Sequence, residues 1–341
     1  MRQKVGKRRL IRWASGVVLV VVLVVVSVSL CSAGATLGDS AQEHPEACVQ
    51  ITSGPAIDYF PSWSPDGASI AFGSNRQADN IWIVSTVDGE PKQITHEPQG
   101  SPSRHPSWSP DGRYIAHDAE SGTRVRVISA EDGSRVAEIP AFVPVSRGGY
   151  PCWSPDGSMI AFTAEGGIWT IDLSSGTLTQ VYSRAGHWAR AFGWSPDGAR
   201  LAIDLANLAM RERDIWILPL DGSPAVQLTD DPGEETNPHW SPDGSTIAFM
   251  SDRSGSRDIW VIPAEGGTST QVTFHPGADR NPRWSPDGRS LAFASERGGS
   301  LDIWTIDMEM QLGTPARGER RGSGAKTEDP ASIARPETGK P

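Results

Sequence analysis

The sequence predicts an all-β fold, a six-bladed β-propeller with four antiparallel strands in each blade. The main observation is that WSPDG occurs six times, at spacings of 45, 45, 41, 46 and 44 residues. Repeats of this length are typical of propeller blades. The second observation is that 36 Gly and 27 Pro separate short apolar runs, a pattern typical of strands joined by tight turns. The copies of WSPDG begin at Trp63, Trp108, Trp153, Trp194, Trp240 and Trp284.

Most repeats contain four strand-like segments. The first ends in the Trp of WSPDG, the second is an apolar run such as IAF at 70–72, the third resembles NIWIV at 80–84, and the fourth ends in a signature such as QIT at 93–95. In the turn itself, Pro fixes φ, Asp bonds nearby backbone and Gly accepts a positive φ. Six equivalent Asp residues do not make one catalytic site, so we interpret WSPDG as a structural turn whose Trp fills the gap between blades.

The last repeat lacks a fourth strand after DIWTI at 302–306, whereas CVQIT at 48–52 carries the closing signature before the first WSPDG. We therefore predict that this N-terminal segment supplies the outer strand of blade six and closes a propeller spanning 48–308. Cys48 would then lie at the outer edge of blade six and Cys152 on the inner strand of blade three. A disulfide between them is not expected.

The N-terminus predicts export. Residues 1–13 carry six Lys/Arg, and Ala14 to Leu30 run without a charge, which predicts a hydrophobic helix within residues 1–35. This segment is a signal peptide or a membrane anchor. The small residues Ala33–Ala35 suit cleavage, the long Val-rich run suits retention, and Cys31 offers lipid attachment as a third alternative. In each case the propeller is expected outside the cytoplasmic membrane, as a periplasmic, cell-surface or secreted protein.

The charge distribution restricts the partners. Residues 14–312 carry 19 Lys/Arg against 37 Asp/Glu, and such an acidic body repels nucleic acid and anionic lipid. We expect a monomer that binds no nucleic acid and touches the membrane only through its N-terminal segment. Residues 313–341 are rich in Gly, Pro and charge, so they are predicted to be a disordered tail.

The repeat unit P-x-W-S-P-D-G, I-A-F, D-I-W-x-I, Q-L-T resembles the TolB-like β-propeller repeat, a family also similar to the propeller domains of prolyl-oligopeptidase-type and tricorn peptidases. The resemblance covers about residues 48–308. Locally, Arg126 replaces a Trp, Phe192 replaces a Pro, and blade four has a longer insertion. TolB has an α/β domain ahead of its propeller, and the short stretch before Cys48 does not match it. The resemblance therefore implies the fold and leaves the envelope role of TolB in doubt.

The channel mouth, where the inner strands begin, is the predicted binding site. The residues three and four positions before each Trp differ between blades while the turns do not. Three of them are arginines, which would attract a carboxylate, a phosphate or an acidic peptide; the alternative is that each pairs with an acid such as Asp58, Glu235 or Asp279. The predicted site residues are Tyr59, Phe60, Arg104, His105, Tyr150, Arg190, Asn237, Arg280 and Asn281.

These features predict a module that binds an envelope protein or peptide, acidic if the arginines are free, without a cofactor. The alternative is a metal-dependent lyase or hydrolase in the same funnel, because some TolB-like propellers are lyases that hold a metal with funnel histidines. His105 lies at the mouth, whereas His239, one residue before Trp240, is expected to point elsewhere. The sequence has no G-x-S-x-G and no H-E-x-x-H, so no catalytic or metal-binding residue is predicted. A passive cell-surface scaffold is the third possibility.

Overall fold

The computed structural model describes residues 48–312, apart from Asp88, Gln99, Ser121, 140–148 and Arg211. Within this part of the chain, the strands form six four-stranded antiparallel sheets and confirm the predicted six-bladed β-propeller. A short helix, α1 (Met308–Leu312), follows the last strand. The predicted leader in 1–35 and the predicted tail at 313–341 lie outside the described residues. Among the described residues, no helix combines the length and the hydropathy needed to span a membrane.

The blades follow one another along the chain. Blades one and two contain β2 Asp58–Trp63, β3 Ser69–Ser74, β4 Asn80–Ser85, β5 Lys92–Gln93, β6 Arg104–Trp108, β7 Tyr114–Ala119, β8 Arg124–Ser129 and β9 Arg135–Glu138. Blades three and four contain β10 Cys152–Trp153, β11 Met159–Ala164, β12 Gly167–Asp172, β13 Leu178–Tyr182, β14 His187–Trp194, β15 Arg200–Asn207, β16 Glu212–Pro219 and β17 Val226–Gln227. Blades five and six contain β18 Glu235–Trp240, β19 Thr246–Ser251, β20 Asp258–Pro263, β21 Thr270–Gln271, β22 Asp279–Trp284, β23 Ser290–Ser295, β24 Asp302–Asp307 and, from the N-terminal side, β1 Cys48–Gln50.

The WSPDG turn is a hydrogen-bonded unit that joins the first and second strands of each blade. In blade one the Ser64 hydroxyl donates to Asp66 Oδ1 at 2.6 Å and accepts the Ser69 N–H at 2.9 Å. Gly67 has a φ of 70°, which Gly adopts without a steric penalty. The same Ser–Asp bond recurs in all six turns. The structural interpretation of the repeated word is therefore confirmed.

Successive turns also touch one another around the ring. A Cβ built on the Gly of each turn would lie 3.5 to 3.9 Å from the Pro Cδ of the preceding turn, which is ordinary van der Waals contact. The contact between Gly67 and Pro286 completes the circle between blades one and six. Each inner-strand Trp packs toward the preceding blade as predicted; the indole N–H of Trp63, for example, donates to Arg283 O at 3.1 Å.

The predicted closure by the N-terminal segment is confirmed. In β1, Cys48 pairs with Ile306 and Gln50 with Trp304. The Thr52 hydroxyl oxygen accepts the buried Ile303 N–H at 2.9 Å, which gives a chemical role to the Thr of the closing signature. The same bond occurs within blades one, four and five, from Ile81 to Thr95, Ile215 to Thr229 and Ile259 to Thr273. Cys48 lies on blade six and Cys152 on blade three, and no disulfide joins them.

Blade two replaces the usual Trp with Arg126 and compensates for its charge. The Arg126 guanidinium donates to Glu97 at 2.6 Å, Glu120 at 2.5 Å and Glu138 at 2.9 Å. A buried cation thus has three carboxylate partners, which offsets the cost of its desolvation.

We predict that Thr52→Val lowers the free energy of unfolding by about 1–3 kcal/mol, because the buried Ile303 N–H loses its acceptor. Thr273→Val removes the equivalent bond inside blade five and should have a similar effect. Val49 is 60% exposed, so Val49→Thr should change stability by less than about 0.5 kcal/mol. Urea unfolding of the three variants measures this; a Thr52→Val variant as stable as Val49→Thr would contradict closure by β1.

The turns also predict acid sensitivity. Hydrogen bonds from the Ser109 hydroxyl and from the backbone and side chain of Arg113 lower the pKa of Asp111 to about 2, from an ordinary 3.8. Because this pKa is lower in the folded state, the stabilisation is present above pH 3.8 and is lost as the pH falls toward 2. The stability difference between the parent and Asp111→Asn should therefore shrink over that interval in urea unfolding. A difference that stays constant from pH 6 to pH 2 would contradict this role.

Candidate functional site

The central channel has two chemically different ends. We call the end where the inner strands begin the mouth face, and the end that carries the WSPDG turns the turn face. The predicted site residues lie among the first three residues of β2, β6, β18 and β22, just before β10, and at the fourth residue of the longer strand β14. They therefore approach the mouth face, as the strand directions require.

The inner strands bend at the mouth face. In five blades the residue three positions before the Trp has a positive φ, between 43° and 60°. Register shifts next to this position mark a β-bulge in blades one, two, five and six. Asn tolerates this conformation, but a bulky ring there is strained by roughly 1–3 kcal/mol. The five residues are Phe60, His105, Tyr150, Asn237 and Asn281.

Four aromatic side chains from blades one to four form a continuous row at the mouth face. We call Phe60, His105, Tyr150 and Phe192 the aromatic row. Their ring centroids are separated by 3.9, 4.0 and 5.2 Å in that order. His105 Nδ1 lies 2.8 Å from Asp118 Oδ2, which fixes the ring; its buried Nε2 has no hydrogen-bond partner among the described residues. Phe192, the departure from Pro noted in the sequence, extends the row.

Each predicted arginine is paired with an acid. Arg190 donates to both carboxylate oxygens of Asp204, from Nε at 2.8 Å and from Nη2 at 2.5 Å. Arg280 donates to Glu296 at 2.9 Å. Arg104 pairs with Asp79. These acids are not the ones expected, because Asp58, Glu235 and Asp279 are paired with the loop arginines Arg76, Arg253 and Arg297.

The other predicted residues take supporting positions. The Tyr59 hydroxyl donates to Asp79 Oδ1 at 2.9 Å. A Cβ built on Gly73 would lie 2.4 Å from Cε2 of the Tyr59 ring, so the ring fits only because residue 73 is Gly. Asn237 and Asn281 are each only 6% exposed. These two side chains are therefore buried and do not form an open surface.

Behind the aromatic row lies a cavity of about 520 Å³ that reaches the prolines of the turns. Only His105 and Tyr150 of the nine predicted residues line it. Its wall instead includes one ring of six residues, each directly before a Trp, which we call the waist ring. No Asp or Glu lines the cavity in the described part of the chain. The waist ring consists of Ser62, Ser107, Cys152, Gly193, His239 and Arg283.

The waist ring corrects one expectation. His239 was expected to point elsewhere, yet it lines the cavity and its Nδ1 accepts the Trp284 N–H at 3.2 Å. Burial, reinforced by nearby Arg283, lowers the pKa of His239 well below its ordinary value, so the His239 imidazole is neutral. Burial also lowers the pKa of Arg283 to about 10 and raises that of the Cys152 thiol to about 12. Arg283 is thus a cation and Cys152 a neutral thiol near pH 7.

Sequence reasoning missed Arg283, although a signal existed. The residue before the Trp varies among Ser, Cys, Gly, His and Arg, as the mouth positions do. Within the described ranges, no group of three or more His, Cys, Asp or Glu side chains is arranged to hold a metal ion.

Comparisons with known proteins agree with this architecture. The family model of the TolB beta propeller domain matches residues 42–168 and 149–312. A curated relative, the uncharacterized peptidase YuxL of Bacillus subtilis, is 39% identical over 67 residues, or 18% of this chain and 10% of that protein. This chain therefore spans only a small part of that relative.

Two solved structures share the fold. The putative TolB of Agrobacterium tumefaciens has a TM-score of 0.57 at 24% identity, over 65% of this chain and 82% of that one. An oligogalacturonate lyase of Vibrio parahaemolyticus has a TM-score of 0.55 at 14% identity, over 78% of this chain and 94% of that one.

We predict that loss of the buried Arg190–Asp204 pair lowers the free energy of unfolding more than loss of the exposed Arg280–Glu296 pair. Arg190→Ala leaves buried Asp204 with Arg213 as its remaining ion-pair partner, and should lower the free energy of unfolding by roughly 1–3 kcal/mol. Arg280→Ala breaks a solvent-exposed pair with Glu296 and should cost about 0–1 kcal/mol. Chemical unfolding at low and high salt distinguishes them. Equal losses in the two variants would contradict the structural role of the Arg190 pair.

Proposed function

This chain belongs to the TolB beta propeller domain family, and from that premise we propose that it is an exported module that binds an envelope protein or peptide at its mouth face. The partner contributes an acidic segment. The aromatic row is the observation that carries this proposal.

The aromatic row is not required by the fold. Blades five and six form the same bend with Asn237 and Asn281, residues that tolerate positive φ. Phe60 and Tyr150 accept strain at the equivalent positions, and strain of this kind is a reason to suspect a functional role. Rigid aromatic rings supply large contact areas at low entropic cost in binding surfaces.

The arginine pairs next to the row suit an acidic partner. The Arg104 side chain is 45% exposed although it is paired with Asp79, and the Arg280–Glu296 pair is also accessible. Exposed pairs contribute about 0–1 kcal/mol. A carboxylate of the partner can therefore replace Asp79 or Glu296 at little cost. Buried Arg190 would instead hold the row, since its guanidinium lies 5.2 Å from the Tyr150 ring centroid.

The sequence supports export, since six basic residues precede the uncharged run from Ala14 to Leu30. The acidic body disfavours nucleic acid as the partner. The alternative function, a metal-dependent lyase or hydrolase in the same funnel, draws on the shared fold with the Vibrio lyase and on His105 in the row.

Phe60→Asn tests the proposal directly, because Asn fits the positive φ and removes only the ring. Leu173→Asn, an apolar-to-Asn change at a 39% exposed residue next to the blade-three turn, is the matched control. We expect both full-length variants to keep the parental melting temperature within a few degrees. Crosslinked pull-downs from native envelope, quantified by mass spectrometry, should show a partner retained by the parent and by Leu173→Asn and reduced at least tenfold with Phe60→Asn.

An unchanged set of captured proteins with both Phe60→Asn and Tyr150→Asn would contradict binding through the row. A metal ion that copurifies with the parent and is lost on His105→Ala would favour the lyase or hydrolase alternative. The two outcomes are read from the same purified proteins.

A further inference from the structure

We propose that the channel contains a carboxylate-binding site centred on Arg283, inside the cavity behind the aromatic row. This goes beyond the proposed function, because the ligand would enter the cavity rather than cover the aromatic row. Its chemical class is a carboxylate attached to an apolar or extended body.

Arg283 carries a charge that the described residues do not neutralise. Among them no carboxylate lies within 4 Å of its guanidinium, and the cavity wall contains no Asp or Glu. The described contacts of the guanidinium are a hydrogen bond from Nη1 to Pro282 O at 2.9 Å and the Phe192 ring at 5.8 Å. A partly desolvated cation without an anion is costly, so a ligand that supplies the anion gains affinity there.

The rest of the waist ring offers hydrogen-bond donors. His239 Nδ1 accepts the backbone N–H of Trp284. Because the His239 imidazole is neutral, its one proton is on Nε2, which can donate it to a ligand. The hydroxyl oxygens of Ser62 and Ser107 accept the N–H groups of the next blades' Trp residues, which leaves their own protons to donate. One cation and three donors without a competing carboxylate favour an anion.

The geometry favours a carboxylate over other anions. Since Nη1 is engaged by Pro282 O, the Nε and Nη2 edge remains, and this edge matches a planar carboxylate in two parallel hydrogen bonds. A single guanidinium balances a single negative charge. The wall also contains Trp and Pro side chains from successive blades and encloses about 520 Å³, a volume typical of small-ligand sites. A small organic acid and the C-terminus of a peptide share this chemistry.

Calorimetric titration of the full-length protein with benzoate and with benzamide, its neutral isostere, tests the site. A short apolar peptide, as free acid and as C-terminal amide, forms the second pair of probes. We expect at least one carboxylate to bind ten times more tightly than its amide. If only benzoate does so, the site takes small acids; if the free-acid peptide does so, it takes chain termini.

The variants are Arg283→Gln and the matched control Arg135→Gln, an exposed arginine on the outer strand β9 of blade two and outside the cavity wall. Arg283→Gln should weaken carboxylate binding at least tenfold, and Arg135→Gln should change it less than twofold. Arg283→Lys keeps the charge without the planar edge and should lose at least threefold; it replaces Arg283→Gln if that variant does not fold.

Equal affinity for acid and amide, binding of neither carboxylate at millimolar concentration, or full binding to the Arg283 variants would each overturn the proposal. Phe60 does not line the cavity, so Phe60→Asn should bind the carboxylate like the parent. Loss of the envelope partner in that variant and loss of carboxylate binding in Arg283→Gln are thus independent results.

Discussion

Blade-to-blade packing is the constraint on which the rest of this structure depends. A four-stranded blade has two apolar faces and covers them only against its neighbours. The core clusters accordingly span adjacent blades, for example Phe72 of blade one with Ala292 and Ile303 of blade six. An open seam would expose two such faces, so the chain uses its first described strand to hold its last blade. The contacts between turn prolines and glycines repeat this closure at the turn face.

The sequence predicted the scaffold well because its signals are local. A turn such as Ser64 to Gly67 uses only its own side chains and backbone, and its repetition fixes the number of blades. The Gln-x-Thr signature located the closing strand because Thr52 makes the same bond as Thr273. The predicted position of Cys48 at the outer edge of blade six followed from that match and was confirmed.

The site was harder to predict because its partners come from different loops and its strands are irregular. Which acid reaches Arg104 or Arg280 depends on where Asp79 and Glu296 project, and strand counting does not give that. Register shifts also interrupt β18 and β22 next to His239 and Arg283, so simple alternation along the strand does not give the direction of these two side chains.

Each inner strand therefore ends in a constant WSPDG turn that belongs to the scaffold, and the residues before the turn vary between blades and form the proposed binding surfaces. Because β1 completes blade six, we expect the ring to unfold as one unit with β1 as an integral part of it. Native-state hydrogen exchange measures this directly, at the amides of Ile51 and Ile303 and their blade-five counterparts Val272 and Ile259. A ring closed by β1 predicts equal protection of the four amides, set by global unfolding. Exchange of Ile51 and Ile303 many times faster than that of Val272 and Ile259 would contradict it.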